Sequence, residues 1–136
     1  MSRIKGKNTL PELTVRRLAH KLGYRFRLHV RQLSGSPDLV FPSRRKVIFV
    51  HGCFWHGHPG CRAATIPSTR PEFWRNKINA TKDRDRRALR DLAITGWDIL
   101  VVWECELRLL PDVAVRIVRF LGPTPREGTS RRRPNQ

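Results

Sequence analysis

The segment from His51 to Cys61, with the sequence HGCFWHGHPGC, holds most of the side chains in this chain that could do chemistry. Cys53, His58 and Cys61 offer thiolate and imidazole donors close enough along the chain to converge on one metal ion. Zinc prefers four such donors in a tetrahedral arrangement, and structural zinc sites are closed by protein groups alone. The segment therefore predicts a structural zinc site that needs one ligand from elsewhere.

The fourth ligand has one thiol candidate, because Cys105 is the last of three cysteines. It follows a predicted strand that ends at Trp103, so a site of three cysteines and one histidine would tie the irregular segment to a sheet. A buried core cysteine is the structural alternative for Cys105. Spacing alone leaves His56 as an alternative to His58 in the zinc site, and the histidine left out is free for catalysis.

A carboxylate and an imidazole mark the hairpin that precedes this segment. Asp38 follows Pro37 and opens one predicted strand, and His51 ends the next. The carboxylate suits Mg²⁺, which binds few protein oxygens and keeps several waters, and histidine transfers protons near neutral pH. Together they predict a nuclease site, with a turn aspartate and a structural histidine as the alternatives. Glu12 and Asp85 are candidates for outer support; otherwise they are a helix-start carboxylate and an ion-pair partner of arginines.

The charge balance indicates a polyanionic partner. The 136 residues include 28 Lys+Arg against 11 Asp+Glu, a formal net charge of +17. Arginine supplies 22 of the 28 cations, and its planar guanidinium suits bidentate phosphate contacts. Nucleic acid is the simplest partner, and anionic membrane surfaces are the rival, although no basic amphipathic segment supports them. Without a long apolar run or a signal peptide, we expect a soluble, intracellular protein.

The elements that would position these residues indicate one small α/β domain over 1–121, followed by a basic tail over 122–136 that we expect to be disordered. Four helices are predicted, the first between a cap at Asn8 or Thr9 and Gly23, the others over 72–78, from 81 or 82 to 95, and over 112–121. Strands are predicted over 24–31, 38–41, 46–50 and 99–103, the last of them central.

The combined motifs resemble those of the Vsr family of very-short-patch-repair DNA mismatch endonucleases. The resemblance rests on HGCFWHGHPGC, on SPDLVF before it, and on TRPEFWRNKI, RDRR and VVWEC after it, and it runs to about Leu121. It implies a restriction-endonuclease-like fold, a mixed sheet flanked by helices with a structural zinc site. It also implies a Mg²⁺-dependent enzyme that nicks DNA on the 5′ side of the thymine in a T:G mismatch, which arises when 5-methylcytosine is deaminated.

The resemblance implies a role for each candidate residue. Magnesium would be bound by Asp38 and the main-chain carbonyl of Val50, with Glu12 supporting the metal's water ligands. The active-site imidazoles would be those of His51 and His56, the latter supported by Asp85. The implied zinc ligands are Cys53, His58, Cys61 and Cys105. Three aromatic side chains would wedge into the duplex beside the mismatch, namely Phe54, Trp55 and Trp74; a place in the core is their alternative.

The sequence departs from the expected pattern in two places, on the second strand and at the N-terminus. The wider restriction-endonuclease pattern has an acidic residue and a lysine on the second strand, where this chain has Phe49-Val50-His51, a substitution that the Vsr family shares. The resemblance also implies that Met1 aligns inside the family's N-terminal region, so we expect a short leading segment, of the kind that helps to embrace DNA in the family, to be missing. We expect a monomer in the bacterial cytoplasm, associated with the nucleoid, whose partners are mismatched double-stranded DNA and mismatch-repair proteins. The alternatives are a related nuclease with another DNA preference and a non-catalytic zinc-containing DNA-binding module.

Overall fold

The computed structural model describes residues 9–124, and its centre is a four-stranded sheet in the order β1-β2-β3-β4. The strands are β1 Arg27–Leu28, β2 Leu39–Phe41, β3 Lys46–His51 and β4 Asp98–Trp103. The helices are α1 Leu10–Lys21, α2 Pro71–Ile94 and α3 Leu110–Leu121. Neighbouring strands pair antiparallel except β3 and β4, which are parallel. The predicted mixed sheet flanked by helices is confirmed.

Helices cover both faces of the sheet, which explains why β3 and β4 are apolar along most of their length. Ile48 of β3 lies on the face that packs against α1 and α3, where Ile117 is fully buried. Val47 and Phe49 lie on the opposite face and pack against Leu92 of α2. Successive side chains of a strand point to opposite faces, so each strand needs apolar residues at every position when both faces are covered.

The first helix begins at one of its two predicted caps. The Thr9 Oγ1 accepts a hydrogen bond from the Glu12 main-chain N–H at 3.4 Å, and Pro11 occupies the first turn. After the helix, Gly23 has φ +100°, a left-handed conformation that glycine adopts without a Cβ clash. The sequence therefore places both ends of α1 correctly, with Thr9 rather than Asn8 as the described cap.

The prediction of two helices after the cysteine–histidine segment is wrong. The structure has one continuous helix of 24 residues, α2, in place of the predicted helices over 72–78 and 81–95. The residues between those ranges, Asn79 and Ala80, include neither proline nor glycine, the residues that break a helix. Ile78 is 5% exposed and Thr81 Oγ1 donates to the Lys77 carbonyl at 3.2 Å, so the junction is packed and helical.

Two strand predictions are corrected as well. The strand predicted over 24–31 is reduced to Arg27–Leu28, because His29 has φ +49°, which takes the chain out of the extended conformation. The strand predicted as central, β4, lies at one edge of the described sheet. Its apolar run reflects helices on its two faces rather than strands on both of its edges.

The first residues of the predicted tail are packed against the domain. The Tyr24 hydroxyl donates to the Gly122 carbonyl, an Arg44 guanidinium N–H donates to the Pro123 carbonyl at 3.0 Å, and Thr124 is 8% exposed. Residues 122–124 therefore pack against the domain, and the rest of the predicted tail, 125–136, lies outside the described part together with residues 1–8. Between residues 9 and 124, no helix has the length and apolarity required to span a membrane.

Candidate active site and metal centre

The candidate catalytic residues meet at one end of the sheet. Because β2 runs antiparallel to β3, the start of β2 lies beside the end of β3. Asp38 immediately precedes β2, and its Oδ2 accepts a hydrogen bond from the Val50 main-chain N–H at 2.6 Å. A cleft of about 830 Å³ opens here, and its lining includes Asp38, Val50, His51, His56 and Asp85. The structure thus brings the predicted carboxylate and both predicted imidazoles into one cavity.

The electrostatics of Asp38 indicate a shortage of positive charge. Burial raises the pKa of its carboxyl from the ordinary value of 3.8 to about 6. The hydrogen bond from Val50 lowers the pKa, the charge of Glu12 raises it, and the two neighbouring histidines His29 and His56 lower it. A cation beside the carboxylate would offset the cost of its burial, so the residues present fit a divalent cation site.

Glu12 and His29 form a group of donors with Asp38. One ligand atom from each lies within 4.8 Å of the others. The His29 Nε2 is 2.8 Å from Glu12 Oε2, and Arg16 also donates to that carboxylate oxygen. Sequence reasoning missed His29, because the alternating strand pattern indicated a solvated side chain. The only feature of the sequence that could have marked His29 as a candidate is that it is a histidine.

Two imidazole rings stack face to face in the cleft. The ring centroids of His51 and His56 are 3.9 Å apart, and the ring planes differ by 1°. The His56 Nδ1 lies 2.7 Å from Asp85 Oδ2 on α2, which favours the proton on Nδ1 and leaves Nε2 as the acceptor. Burial, and next the charge of His56, lower the pKa of His51 to about 4, against an opposing effect of Asp85. His51 is therefore neutral at pH 7.

The helix α2 also brings two cations to the cleft, Lys77 and Arg84. They are seven residues apart, a spacing that repeats along one face of a helix. That spacing was a usable signal in the sequence, but the predicted helix break near residue 80 hid it. Asp85 follows Arg84 directly, so one helix supplies both the partner of His56 and positive charge for a phosphate.

An aromatic cluster borders the cleft. Phe54, Trp55 and Trp74 contact one another edge to face, with ring centroids 5.1, 5.6 and 5.8 Å apart. Trp55 lines the cleft and is 49% exposed, whereas Phe54 and Trp74 are half-buried. Phe73, which sequence reasoning missed, extends the cluster, since its centroid is 5.0 Å from that of Trp74 and it is 44% exposed. Adjacent exposed rings of this kind mark an interaction surface.

The four predicted zinc ligands form a second group. One ligand atom from each of them lies within 4.8 Å of the others, and the four residues are Cys53, His58, Cys61 and Cys105. The His58 Nδ1 is 3.6 Å from Cys53 Sγ and 3.5 Å from Cys105 Sγ. The group connects the segment after β3 to the short 3-10 helix that follows β4, and it could hold one metal ion.

Sequence comparisons point to one family. The family model described as DNA mismatch endonuclease Vsr matches residues 1–62. The type II nicking enzyme V.XorIIP of Xanthomonas oryzae pv. oryzae is 52% identical over 124 residues, which are 91% of this chain and 90% of that protein. The DNA mismatch endonuclease Vsr of Escherichia coli is 44% identical over 108 residues, 79% of this chain and 69% of that protein. This chain belongs to the Vsr family.

Membership of the Vsr family confirms the resemblance inferred from the motifs. As a Vsr-family protein, the chain is an endonuclease, a hydrolase of phosphodiester bonds in DNA. The cleft is the candidate place for that hydrolysis, since it brings together carboxylates that could hold a cation, an imidazole that could accept a proton and cationic side chains that could bind phosphate.

Proposed function

We propose that this Vsr-family endonuclease is Mg²⁺-dependent and strand-specific, and that it nicks duplex DNA 5′ to the thymine of a T:G mismatch in very-short-patch repair. The observation that carries the proposal is the single cleft shared by Asp38, His51, His56 and Asp85. A restriction-endonuclease-like sheet is part of the proposal, supported by the carboxylate that precedes the β2–β3 hairpin. The enzyme acts as a monomer on nucleoid DNA in the bacterial cytoplasm, followed by mismatch-repair proteins.

Asp38 would hold the divalent cation, with the main-chain carbonyl of Val50 as a second protein oxygen and Glu12 beside the water ligands. This small set of oxygens is what Mg²⁺ accepts, because the ion keeps most of its waters. When bound, the cation supplies positive charge that polarises the phosphate and offsets the charge that develops on it. Glu12 is 2% exposed and is fixed by Arg16 and His29, so its position does not depend on the cation.

His56 is the general base in this proposal. Its Nδ1–H donates to Asp85, so the lone pair on Nε2 accepts the proton of the attacking water. His51 stacks on His56 and, being neutral, donates its ring N–H to a phosphate oxygen without repelling a protonated His56. Lys77 and Arg84 bind flanking phosphates, which fixes the register of the duplex without reading its sequence.

The aromatic cluster provides the recognition of a weak base pair. Phe54, Trp55 and Trp74 enter the base stack beside the mismatch, and unstacking costs least where pairing is already poor. The exposure of Trp55 supports this role, because an exposed ring reaches the duplex without removing a side chain from the core.

Zn²⁺ is the ion that we propose for the cysteine–histidine group. With Zn–S bonds of about 2.3 Å and Zn–N bonds of about 2.0–2.1 Å, a tetrahedral ion separates sulfur from nitrogen by about 3.6 Å. The two sulfur–nitrogen distances of 3.6 and 3.5 Å at His58 support this geometry. A set of three thiols and one imidazole leaves no open position, so the ion stabilises the fold and does not take part in hydrolysis.

A nicking assay tests the proposed substrate. Duplexes with one labelled strand and a T:G, a U:G or a matched T:A pair at the same position are incubated with the protein, with and without Mg²⁺. We expect a nick 5′ to the thymine in the T:G duplex only when Mg²⁺ is present. Equal cleavage of the matched duplex indicates a related nuclease with another preference, and tight binding without cleavage indicates a DNA-binding module.

Asp85→Asn tests the orientation of His56. An amide that donates to Nδ1 places the imidazole proton on Nε2, so the ring loses its acceptor, and we expect the single-turnover nicking rate to fall by about 10²-fold or more. The matched control is Asp83→Asn on the same helix, because Asp83 is exposed and pairs with Arg86 at 3.2 Å. Single-turnover nicking of the T:G duplex measures both. Equal rates for the two variants would contradict the role of Asp85.

A further inference from the structure

Trp103, the last residue of β4, contacts three imidazoles that serve two different sites. The His58 ring stacks on the indole, with centroids 4.1 Å apart and planes 9° apart. The His51 and His56 rings both stand at 75° to the indole, with centroids 5.1 and 6.5 Å from it. The indole therefore lies between the cysteine–histidine group and the stacked imidazole pair.

The imidazole pair has a hydrogen-bonded member and a member held by packing. His56 is oriented by Asp85. His51, in contrast, has a buried Nδ1 with no hydrogen-bond partner within residues 9–124. The orientation of its ring therefore depends on the rings around it, which are His56, Trp103 and Phe49, the last with its centroid 5.7 Å away.

The backbone makes Trp103 a rigid support. Parallel pairing of β3 and β4 puts Trp103 directly opposite His51 in the register. The Trp103 main-chain N–H also donates to Glu106 Oε1 at 2.9 Å, and Glu106 is paired with Arg116 of α3 at 2.8 Å. Stacking on His58 limits the rotation of the indole from the other side. Because β4, the Glu106 side chain and the His58 ring all hold Trp103, a shift of the cysteine–histidine group would move the indole and, with it, the His51 ring.

We propose that Trp103 is a positioning residue for hydrolysis, which holds the His51 ring parallel to His56 and couples both to the cysteine–histidine group. The inference rests on the proposed function, in which the two imidazoles act on the phosphodiester. Trp103 does not touch the reacting atoms, so it affects the chemical step and not DNA binding. A displacement of a catalytic group by about 1 Å lowers rates by about 10²-fold.

The test compares Trp103→Leu and Trp103→Phe with the matched control Trp97→Leu. Trp97 immediately precedes β4, is partly buried, and has the Arg45 guanidinium carbon 4.6 Å from its ring centroid, so its loss reports the general cost of removing an indole beside this strand. Each full-length variant is measured for bound zinc, thermal unfolding, DNA affinity, single-turnover nicking and the NMR shifts of the histidine ring nitrogens.

We expect Trp103→Leu to lose about 10²-fold in the nicking rate at unchanged DNA affinity and zinc content, with altered ring-nitrogen shifts of His51. Trp103→Phe restores part of the rate, and Trp97→Leu nicks like the wild type. Nicking by Trp103→Leu at the rate of Trp97→Leu overturns the inference, as does a loss of rate that only follows a loss of zinc. If Trp103→Leu does not fold, Trp103→Phe is judged by the same criteria.

These outcomes separate the inference from the proposed function. If the wild-type protein nicks none of the duplexes, the proposed function is overturned. The NMR shifts of the ring nitrogens then decide the inference alone, and unchanged His51 signals in the Trp103 variants overturn it. A wild-type protein that nicks, with Trp103 variants that nick equally well, overturns the inference and leaves the proposed function intact.

Discussion

Asp38→Asn is expected to abolish nicking and, in the absence of Mg²⁺, to stabilise the fold. An amide is a weak, neutral ligand for a hard cation, so the variant loses the several kcal/mol that the metal contributes, a fall of about 10³-fold or more. The amide oxygen can still accept the hydrogen bond from Val50 that the carboxylate accepts at 2.6 Å. Removal of a buried negative charge next to DNA leaves mismatch binding intact.

The stabilisation follows from the raised pKa of Asp38, from 3.8 to about 6, of which burial is the first cause. Between pH 4 and pH 6 the folded protein retains a proton that the unfolded chain has released, so the folded state loses stability as the pH rises through this range. The whole cost is about 3 kcal/mol above pH 6 and vanishes below pH 4. Asp38→Asn removes it, and the wild type and the variant converge in acid.

Denaturant unfolding in buffer free of Mg²⁺ and of chelators at pH 4 and pH 7.5, together with nicking of the T:G duplex, measures both effects. The matched control is Asp98→Asn at the exposed start of β4, which is expected to change neither quantity. Retained nicking in Asp38→Asn would remove Asp38 from the site. An unchanged free energy of unfolding at pH 7.5 would show that burial of this carboxylate is not costly.

The second large effect concerns the cysteine–histidine group, whose metal is expected to be required for folding. A metal ion bound by this group would join the segment after β3 to the 3-10 helix Glu104–Arg108, and Cys53 of the group is 1% exposed. Binding of a structural zinc ion contributes about 10–16 kcal/mol, as much as the whole stability of a typical domain, about 5–15 kcal/mol. We therefore expect Cys105→Ser to lose cooperative unfolding, and a strong chelator to do the same to the wild type.

Elemental analysis and circular dichroism measure this effect. The purified wild type should hold one zinc ion per chain, and Cys105→Ser and His58→Ala should hold less and unfold. His20→Ala is the control, because His20 is exposed in the last turn of α1 and lies outside the metal group. A purified protein without zinc, whose thermal unfolding does not change on chelation, would defeat the zinc proposal.

The local elements could be read from the sequence, and so could the members of the cysteine–histidine group, except that spacing left the choice between His56 and His58 open. Thr9, Pro11 and Gly23 define α1 because caps and breakers act over a few residues. The donors Cys53, His58 and Cys61 lie within nine positions, so chain geometry alone keeps them close. The hairpin before His51 is marked by two continuous apolar runs around residues 42–45. The order of apolar and polar residues along a strand or helix indicates which of its positions are buried, and that order is a local property of the sequence.

The angles and contacts of the candidate catalytic site were decided only by the tertiary structure. The stack of His51 on His56, and the indole of Trp103 beside both, require β3, β4, α2 and the loop to pack in one arrangement. His29 meets Glu12 because one left-handed residue ends β1, which an alternating pattern does not predict. Sequence periodicity records which face of an element is buried, but the distance between two elements depends on all the side chains packed between them.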